Sequence, residues 1–283
     1  MTSSRLGFKR MVIGLPQTMA DRAAIDAAAE LAEFLQVELL AAFIADPALR
    51  ALAERPAARE LRTLGQGWQT IDPAQIKRDI EQISAIAQRR FAETVGGRSI
   101  KTGFDVVTGA PMLASLIRAD DILAILEPGH PGESITRQFT SLLDTAFATA
   151  AAILAVPRRI LRPTGPILAV VTGGDHNNLR LALQIAAASK ERLLVATPPG
   201  VRLPDEILAD AERLGVPIER ISTGLSQQTL ALPSARANER LRIVARDQLP
   251  EDALFANLRG IPVLVVEPER AGALAESEQH HAD

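Results

Sequence analysis

The chain has no cysteine and no tyrosine, a single tryptophan, and only 3% aromatic residues in 283 positions. Without cysteine, disulfides, thiolate nucleophiles and sulfur-ligated metals are all excluded. So thin an aromatic complement offers no platform on which single-stranded nucleic acid would stack. No run is long and free enough of charge to cross a bilayer, and the apolar stretch in MTSSRLGFKRMVIGLP is too short for a secretory signal. Charge of one sign is lacking too. The 31 lysines and arginines stand against 34 aspartates and glutamates, a net of −3, which exerts no general pull on nucleic acid or anionic lipid. These absences lead us to expect a cytoplasmic protein that engages neither nucleic acid nor membrane. What is present, 47% hydrophobic and 23% charged residues, is the composition of a globular protein with room for one large or two modest domains.

The hydrophobic pattern alternates short continuous apolar runs with longer stretches of helical period. Lys9–Leu15 reads as a buried strand; Ala20, Ala23, Ala24, Ala27, Ala28, Leu31 and Leu35 recur at helical spacing; Val37–Ile44 is a second strand. Thr18 and Asp21 have capping-box spacing before that helix. Strands that are apolar throughout, joined by helices, imply a parallel sheet covered on both faces. Residues 46–71 break the rhythm and predict a short helix and an excursion carrying Trp68. Asp72-Pro73 then starts a helix striped by Ile76, Ile80, Ile83, Ala87 and Phe91, which Gly96-Gly97 ends. Lys101–Thr108, Ile122–Leu126 and Ala152–Val156 supply strands three to five, with helices opening at Pro111 and near Ser134.

After the basic, proline-bearing linker Pro157–Gly165 the order begins again. Strands are expected at Ile167–Val171, Arg192–Ala196, Ile218–Thr223, Leu241–Ala245 and Pro262–Val266, with helices at Asn178–Ala188, Pro204–Leu214, from Ser226, and at Glu251–Leu258. VVTG at 106–109 is echoed by ISTG at 221–224. The expected fold class is therefore α/β: two tandem, doubly wound, five-stranded parallel-sheet units. The first occupies residues 1–160 and contains a helical excursion at 46–96. The second, shorter unit occupies 164–268, and 269–283 forms a disordered polar tail.

Three segments carry a likeness to a known family: MVIGLPQTMADRAAIDAAAELA, VVTGGDHNNLRLALQIAAA and TSLLDTAFATAAAILAVP. In their order and texture, over nearly all of residues 9–268, the chain resembles a tandem universal stress protein. The resemblance implies a flavodoxin-like, adenine-nucleotide-hydrolase-like fold. It also implies fifth strands that pair, here within one chain (Ile153–Val156 against Val263–Val266) as an intramolecular pseudo-dimer that hides both edges. Some members of that family bind ATP or AMP, and others bind no nucleotide and act through dimers and partners. The nucleotide binders carry an acidic residue at the end of the first strand. After the fourth strand they carry a Gly-x-x-Gly turn and, nine residues on, a Gly-Ser or Gly-Thr. Such glycines let backbone N–H groups approach phosphates at the positive end of a helix.

Carried onto this sequence, the pattern gives a nucleotide site at Gly129, His130 and Gly132, with Ser134, Arg137 and Thr140 in or near the following helix. ATP or AMP with magnesium is the implied cofactor. The strict position of the second motif holds Leu142-Leu143, and a three-residue loss would align Phe139-Thr140 instead. The acidic position is Pro16 in the first unit and Thr172 in the second, whose fourth strand ends in IVARDQLPED without glycine. A second turn, Thr172, Gly173, Gly174 and Asp175, also follows a strand; its plainer reading is a turn with Asp175 or Asn177 capping a helix. His130 and His176 sit one in each turn, yet no nucleophile, base and orienter can be assembled around them. Asp120-Asp121 reads as a helix-to-strand turn. His280 and His281 have no companions at metal-ligand spacing, so no metal site is expected.

Three readings of function follow. One is a stress-response or regulatory module without robust catalysis, binding an adenine nucleotide in the first unit only. The second is a weak ATP-binding and hydrolysing protein using the Gly129–Gly132 turn. The third is a nucleotide-independent scaffold whose first-unit excursion holds a protein partner, with homodimers among the expected assemblies.

Overall fold

A computed structural model describes residues 8–16, 22–55, 58–62, 67–128, 136–150, 152–171, 177–222, 238–246, 254–255 and 258–266. The first half runs β1 (Arg10–Pro16), α1 (Arg22–Leu35), β2 (Glu38–Ala45), α2 (Pro47–Ala53), β3 (Arg59–Arg62), β4 (Gly67–Thr70), α3 (Pro73–Val95), β5 (Thr102–Thr108), α4 (Gly109–Leu116), β6 (Asp121–Leu126), α5 (Arg137–Thr149) and β7 (Ala152–Val156). The second runs β8 (Ile167–Val170), α6 (Asn177–Ser189), β9 (Leu193–Thr197), α7 (Asp205–Leu214), β10 (Ile218–Ser222), β11 (Leu241–Ala245) and β12 (Val263–Val266). Thr18, the helices expected from Ser226 and over Glu251–Leu258, and the tail at 269–283 lie wholly or mostly outside the described residues.

Ten strands form one sheet in the order β10-β9-β8-β11-β12-β7-β6-β1-β2-β5. Each half has the same doubly wound order, with its first strand flanked by its second and fourth. Pairing within each half is parallel. The halves join where β12 runs antiparallel to β7, in the register Val263↔Ala155, Leu264↔Leu154, Val265↔Ile153 and Val266↔Ala152. The expected pseudo-dimer junction is therefore present, and neither fifth strand is left as an edge.

Alternation along the strands feeds two cores. Met11, Ile13 and Leu15 face one cluster with α1, α6, α7 and the last turn of α3, whereas Val12 faces the other with α4 and α5. Alanines 24, 28, 29 and 32 of α1 are buried, and their small side chains let this helix lie close to the sheet. Two glycines do conformational work. Gly215 stops α7 in the left-handed region at φ 67°. Gly260, at φ 75°, lies under the linker, where a Cβ would come within 2.4 Å of Leu161 Cγ. The Leu161 amide donates to its carbonyl at 2.9 Å, fixing the linker to the start of β12.

The excursion differs from expectation. Beyond the short helix α2 it forms an antiparallel hairpin, β3–β4, with Leu61 opposite Trp68. The sequences RELR and GWQT are too short and too polar to announce strands. Asp72 caps α3 as read from sequence, its side chain accepting from the Ala74 amide at 2.9 Å. The α3 stripe, however, divides: Phe91 is buried, Ile76, Ile80 and Ala87 are half-buried, and Ile83 is exposed. The last turn covers the core, and the first three turns do not.

Candidate functional site

In a doubly wound sheet, ligands bind outside the carboxyl ends of the strands where the strand order reverses. In the first half that point lies between β1 and β6, which are parallel neighbours in the register Arg10↔Asp121 to Ile13↔Ala124. β6 ends at Leu126, and Glu127 and Pro128 lead toward Gly129. The Glu127 amide donates to the Val156 carbonyl at 2.8 Å. Its carboxylate accepts from the Arg158 amide at 3.0 Å, and its carbonyl accepts from Arg158 Nε at 3.2 Å. The strand leading into the turn is thus anchored to the end of β7.

Gly129, His130, Gly132 and Ser134 lie outside the described residues. On the far side, Thr136 is the N-cap of α5, so the described helix starts later than the expected opening near Ser134; its hydroxyl accepts from the Phe139 amide at 3.3 Å. Arg137 is therefore the first helical residue. Thr140 is exposed, and its hydroxyl donates back to the Thr136 carbonyl at 3.2 Å. A contact from Thr140 to a phosphate requires giving up that bond. Phe139, its neighbour in the shifted alignment, is buried against Phe255 with ring centroids 5.4 Å apart.

The rest of the carboxyl edge adds a group that sequence reasoning missed. β1 ends at Pro16, opposite Ile44, with no acid at the strand end. One strand over, Asp46 follows β2 directly, and its carboxylate accepts from the Ala48 amide at 2.7 Å. Beside it, Thr108 is the N-cap residue of α4 without a side-chain capping bond, and Gly109 takes φ 71° close to Pro47. In the sequence Asp46 stands two residues after the expected strand Val37–Ile44, whereas the family pattern places its acid after the first strand.

Asp120 and Asp121 lie at the opposite, amino edge. Asp121 is 1% exposed and takes Arg10 in a two-pronged pair at 2.5 and 3.2 Å, while also accepting from the Arg118 amide at 2.8 Å. Arg10 further donates to the Leu116 carbonyl at 2.7 Å. Asp120 pairs outside with Lys9 at 2.9 Å. These carboxylates clamp β1 to β6 and stand away from the carboxyl edge.

In the second half Thr172, Gly173, Gly174, Asp175 and His176 lie outside the described residues. Asn177 opens α6 as its first helical residue, one earlier than read. The bond from the helix back to its strand comes from buried Asn178, whose Nδ2 donates to the Val170 carbonyl at 2.7 Å. Where the fourth strand of the first half leads to the glycine-bearing sequence from Gly129, β11 leads to Arg246, whose guanidinium lies over the Phe147 ring of α5 at 4.9 Å. Among the described residues no group of three potential metal ligands occurs, and no helix is long and apolar enough to cross a membrane.

A tandem pair of doubly wound five-stranded units, joined through antiparallel fifth strands, defines the architectural class. No family model matches the sequence, and no curated protein matches it either. Solved structures do. A universal stress protein from Archaeoglobus fulgidus DSM 4304 superimposes with a TM-score of 0.60 at 11% identity, covering 91% of this chain and 96% of its own. A protein of unknown function from Pseudomonas aeruginosa PAO1 gives 0.51 at 15% identity, covering 99% and 100%. A protein described as a universal stress protein from Pseudomonas aeruginosa UCBPP-PA14 gives 0.50 at 16% identity, covering 98% and 100%. The chain therefore has the fold of the universal stress proteins, in its tandem form.

Proposed function

We propose that this chain is a two-unit regulatory module of the universal stress protein kind, acting in the cytoplasm, which binds ATP or AMP with magnesium in its first unit only. Residues 1–160 and 164–268 are its two copies, and 269–283 lies beyond both. One observation carries the reading: the two switch points are unequal. At the first, β6 runs into Gly129-His130-Pro131-Gly132 and then a helix capped by Thr136. At the second, β11 runs into an arginine stacked on the other unit. In this reading the first turn offers backbone N–H groups to phosphate oxygens, and Arg137 adds a cation at the positive end of α5. Asp46 supplies the carboxylate that Pro16 does not, accepting from ligand hydroxyl or amino groups at the same edge. No residue is assigned to catalysis.

The test is calorimetric titration of nucleotide-stripped protein with ATP and magnesium, beside Gly132→Asp. A carboxylate in the turn repels phosphate, so the variant is expected to lose binding at least about a hundredfold, while keeping the circular dichroism of the parent. Equal affinity in the two proteins removes the turn from the site. Steady phosphate release by the same sample would move the reading to its hydrolytic alternative.

The scaffold reading keeps one specific support. Trp68 is 65% exposed and Leu61 opposite it 56%, and Leu49, Leu52 and Ile83 of the same excursion are exposed as well. An exposed apolar pair such as Leu61 and Trp68 suits an interaction surface. A partner that copurifies with the full chain and is lost on deleting residues 46–71 supports this reading; a partner retained after the deletion contradicts it. Self-association lost in the same way would make the partner a second copy.

A further inference from the structure

A cleft of about 220 Å³ opens on the face of α1, where the two units and their linker meet. Leu154 and Val156 of β7, Ile167 of β8 and Leu241 of β11 line it, with Phe34 and Leu31 of α1 on one side. Ile185 of α6 stands on the other unit's side, and Ile160, Arg162 and Pro163 of the linker complete it. The apolar part of this lining suits the body of an apolar ligand.

Four charged side chains reach this cleft: Asp26, Glu30, Arg162 and Arg240. Three are already matched. Asp26 pairs at 2.6 Å with Arg98, which also holds Glu33 at 3.0 Å, and Glu30 pairs with Arg240 at 2.6 Å. The Arg240 guanidinium also lies over the Phe34 ring, 5.1 Å from its centre. Arg162 has no hydrogen-bond or ion-pair partner among the described residues. The four lining charges sum to zero, and Arg162 is the one whose guanidinium has no partner among the described residues, beside a largely apolar wall.

We infer that this inter-unit cleft binds a small apolar carboxylate, its body among the side chains between α1 and α6 and its head on Arg162. The open guanidinium of Arg162 selects an anionic head, and its fork suits a carboxylate. The size selects a small molecule: a cavity of about 150 Å³ takes benzene, so this one takes a benzene-sized or short-chain body with one polar group. The site is independent of the nucleotide turn. Because its walls come from both units and the linker, its occupant stabilises the junction between them by mass action.

The test uses the full chain with sodium octanoate as the probe and octanol as its uncharged counterpart, read by calorimetry and by the thermal melt. Octanoate is expected to bind one per chain with a rise in melting temperature. Arg162→Gln is expected to weaken octanoate about tenfold, the value of one charge-assisted contact, and to leave octanol unchanged. Ala27→Leu, which places a larger side chain on the α1 wall, is expected to weaken both ligands while the melt without ligand stays cooperative. Absence of saturable octanoate binding at millimolar concentrations overturns the inference. So does octanoate binding that neither Arg162→Gln nor Ala27→Leu alters, and so does octanol binding as tightly as octanoate to the parent protein.

Discussion

Replacing Asp121 with alanine is expected to lower stability by about 3–5 kcal/mol, the usual cost of leaving one half of a buried ion pair behind. The carboxylate is 1% exposed and the Arg10 side chain 12%. Removing the acid strands a guanidinium whose other contact is the Leu116 carbonyl, and also orphans the Arg118 amide. The clamp joins the first residues of β1 and β6, so its loss loosens the strand pair whose far ends form the first switch point. A calorimetric melt is expected to move down on the order of 10 °C. The double variant Arg10→Met with Asp121→Leu is expected to regain most of that loss, because apolar residues of similar volume can replace a buried pair at little cost. A single variant within about 1 kcal/mol of the parent would mean that water reaches the pair.

The second large effect is expected at the junction between the units. Leu264 is fully buried, faces Leu154 across the antiparallel pair, and belongs to the core cluster that both halves share. Leu264→Asp is expected to cost at least about 4 kcal/mol near neutral pH, since the described members of that core cluster are all apolar. The pH dependence separates charge from shape. Burial raises the carboxyl of the new aspartate in the folded state above its unfolded value near 3.9, so the folded protein holds a proton that the unfolded chain has released. The deficit is therefore smallest below about pH 4 and grows as pH rises toward the folded-state value. Leu264→Asn is expected to show a deficit with no such slope. Chemical denaturation at several pH values reads both.

Much of this architecture was legible in the sequence because the strands are apolar from end to end and the helices carry small residues on one face. Runs such as ILAIL in β6 and VLVV in β12 leave little choice but a doubly covered parallel sheet. The pairing of fifth strands came from the resemblance, supported by the need to hide two edges. Three features were not legible, for different reasons. The β3–β4 hairpin is stabilised by few buried side chains, so its polar sequence carries no alternation to read. The Arg10–Asp121 clamp joins residues 111 positions apart, and neither residue differs in type from the charges around it. The inter-unit cleft draws its lining from the linker and elements of both halves, and no local window of sequence contains it. At the candidate site, glycine spacing points to residues 129–132, which lie outside the described residues, whereas Asp46 became visible only once β1 and β2 were placed in register.

The measurement that tests the central claim most directly is amide hydrogen exchange with and without ATP and magnesium, resolved to short peptides. The account predicts slowed exchange confined to the first switch point: residues 126–140, the end of β1 and the Ala45–Ala48 segment. It predicts unchanged exchange at residues 171–178 and 245–254 of the second unit. Slowing at the second unit's turns instead, or no change anywhere at millimolar ATP, would contradict a nucleotide site in the first unit.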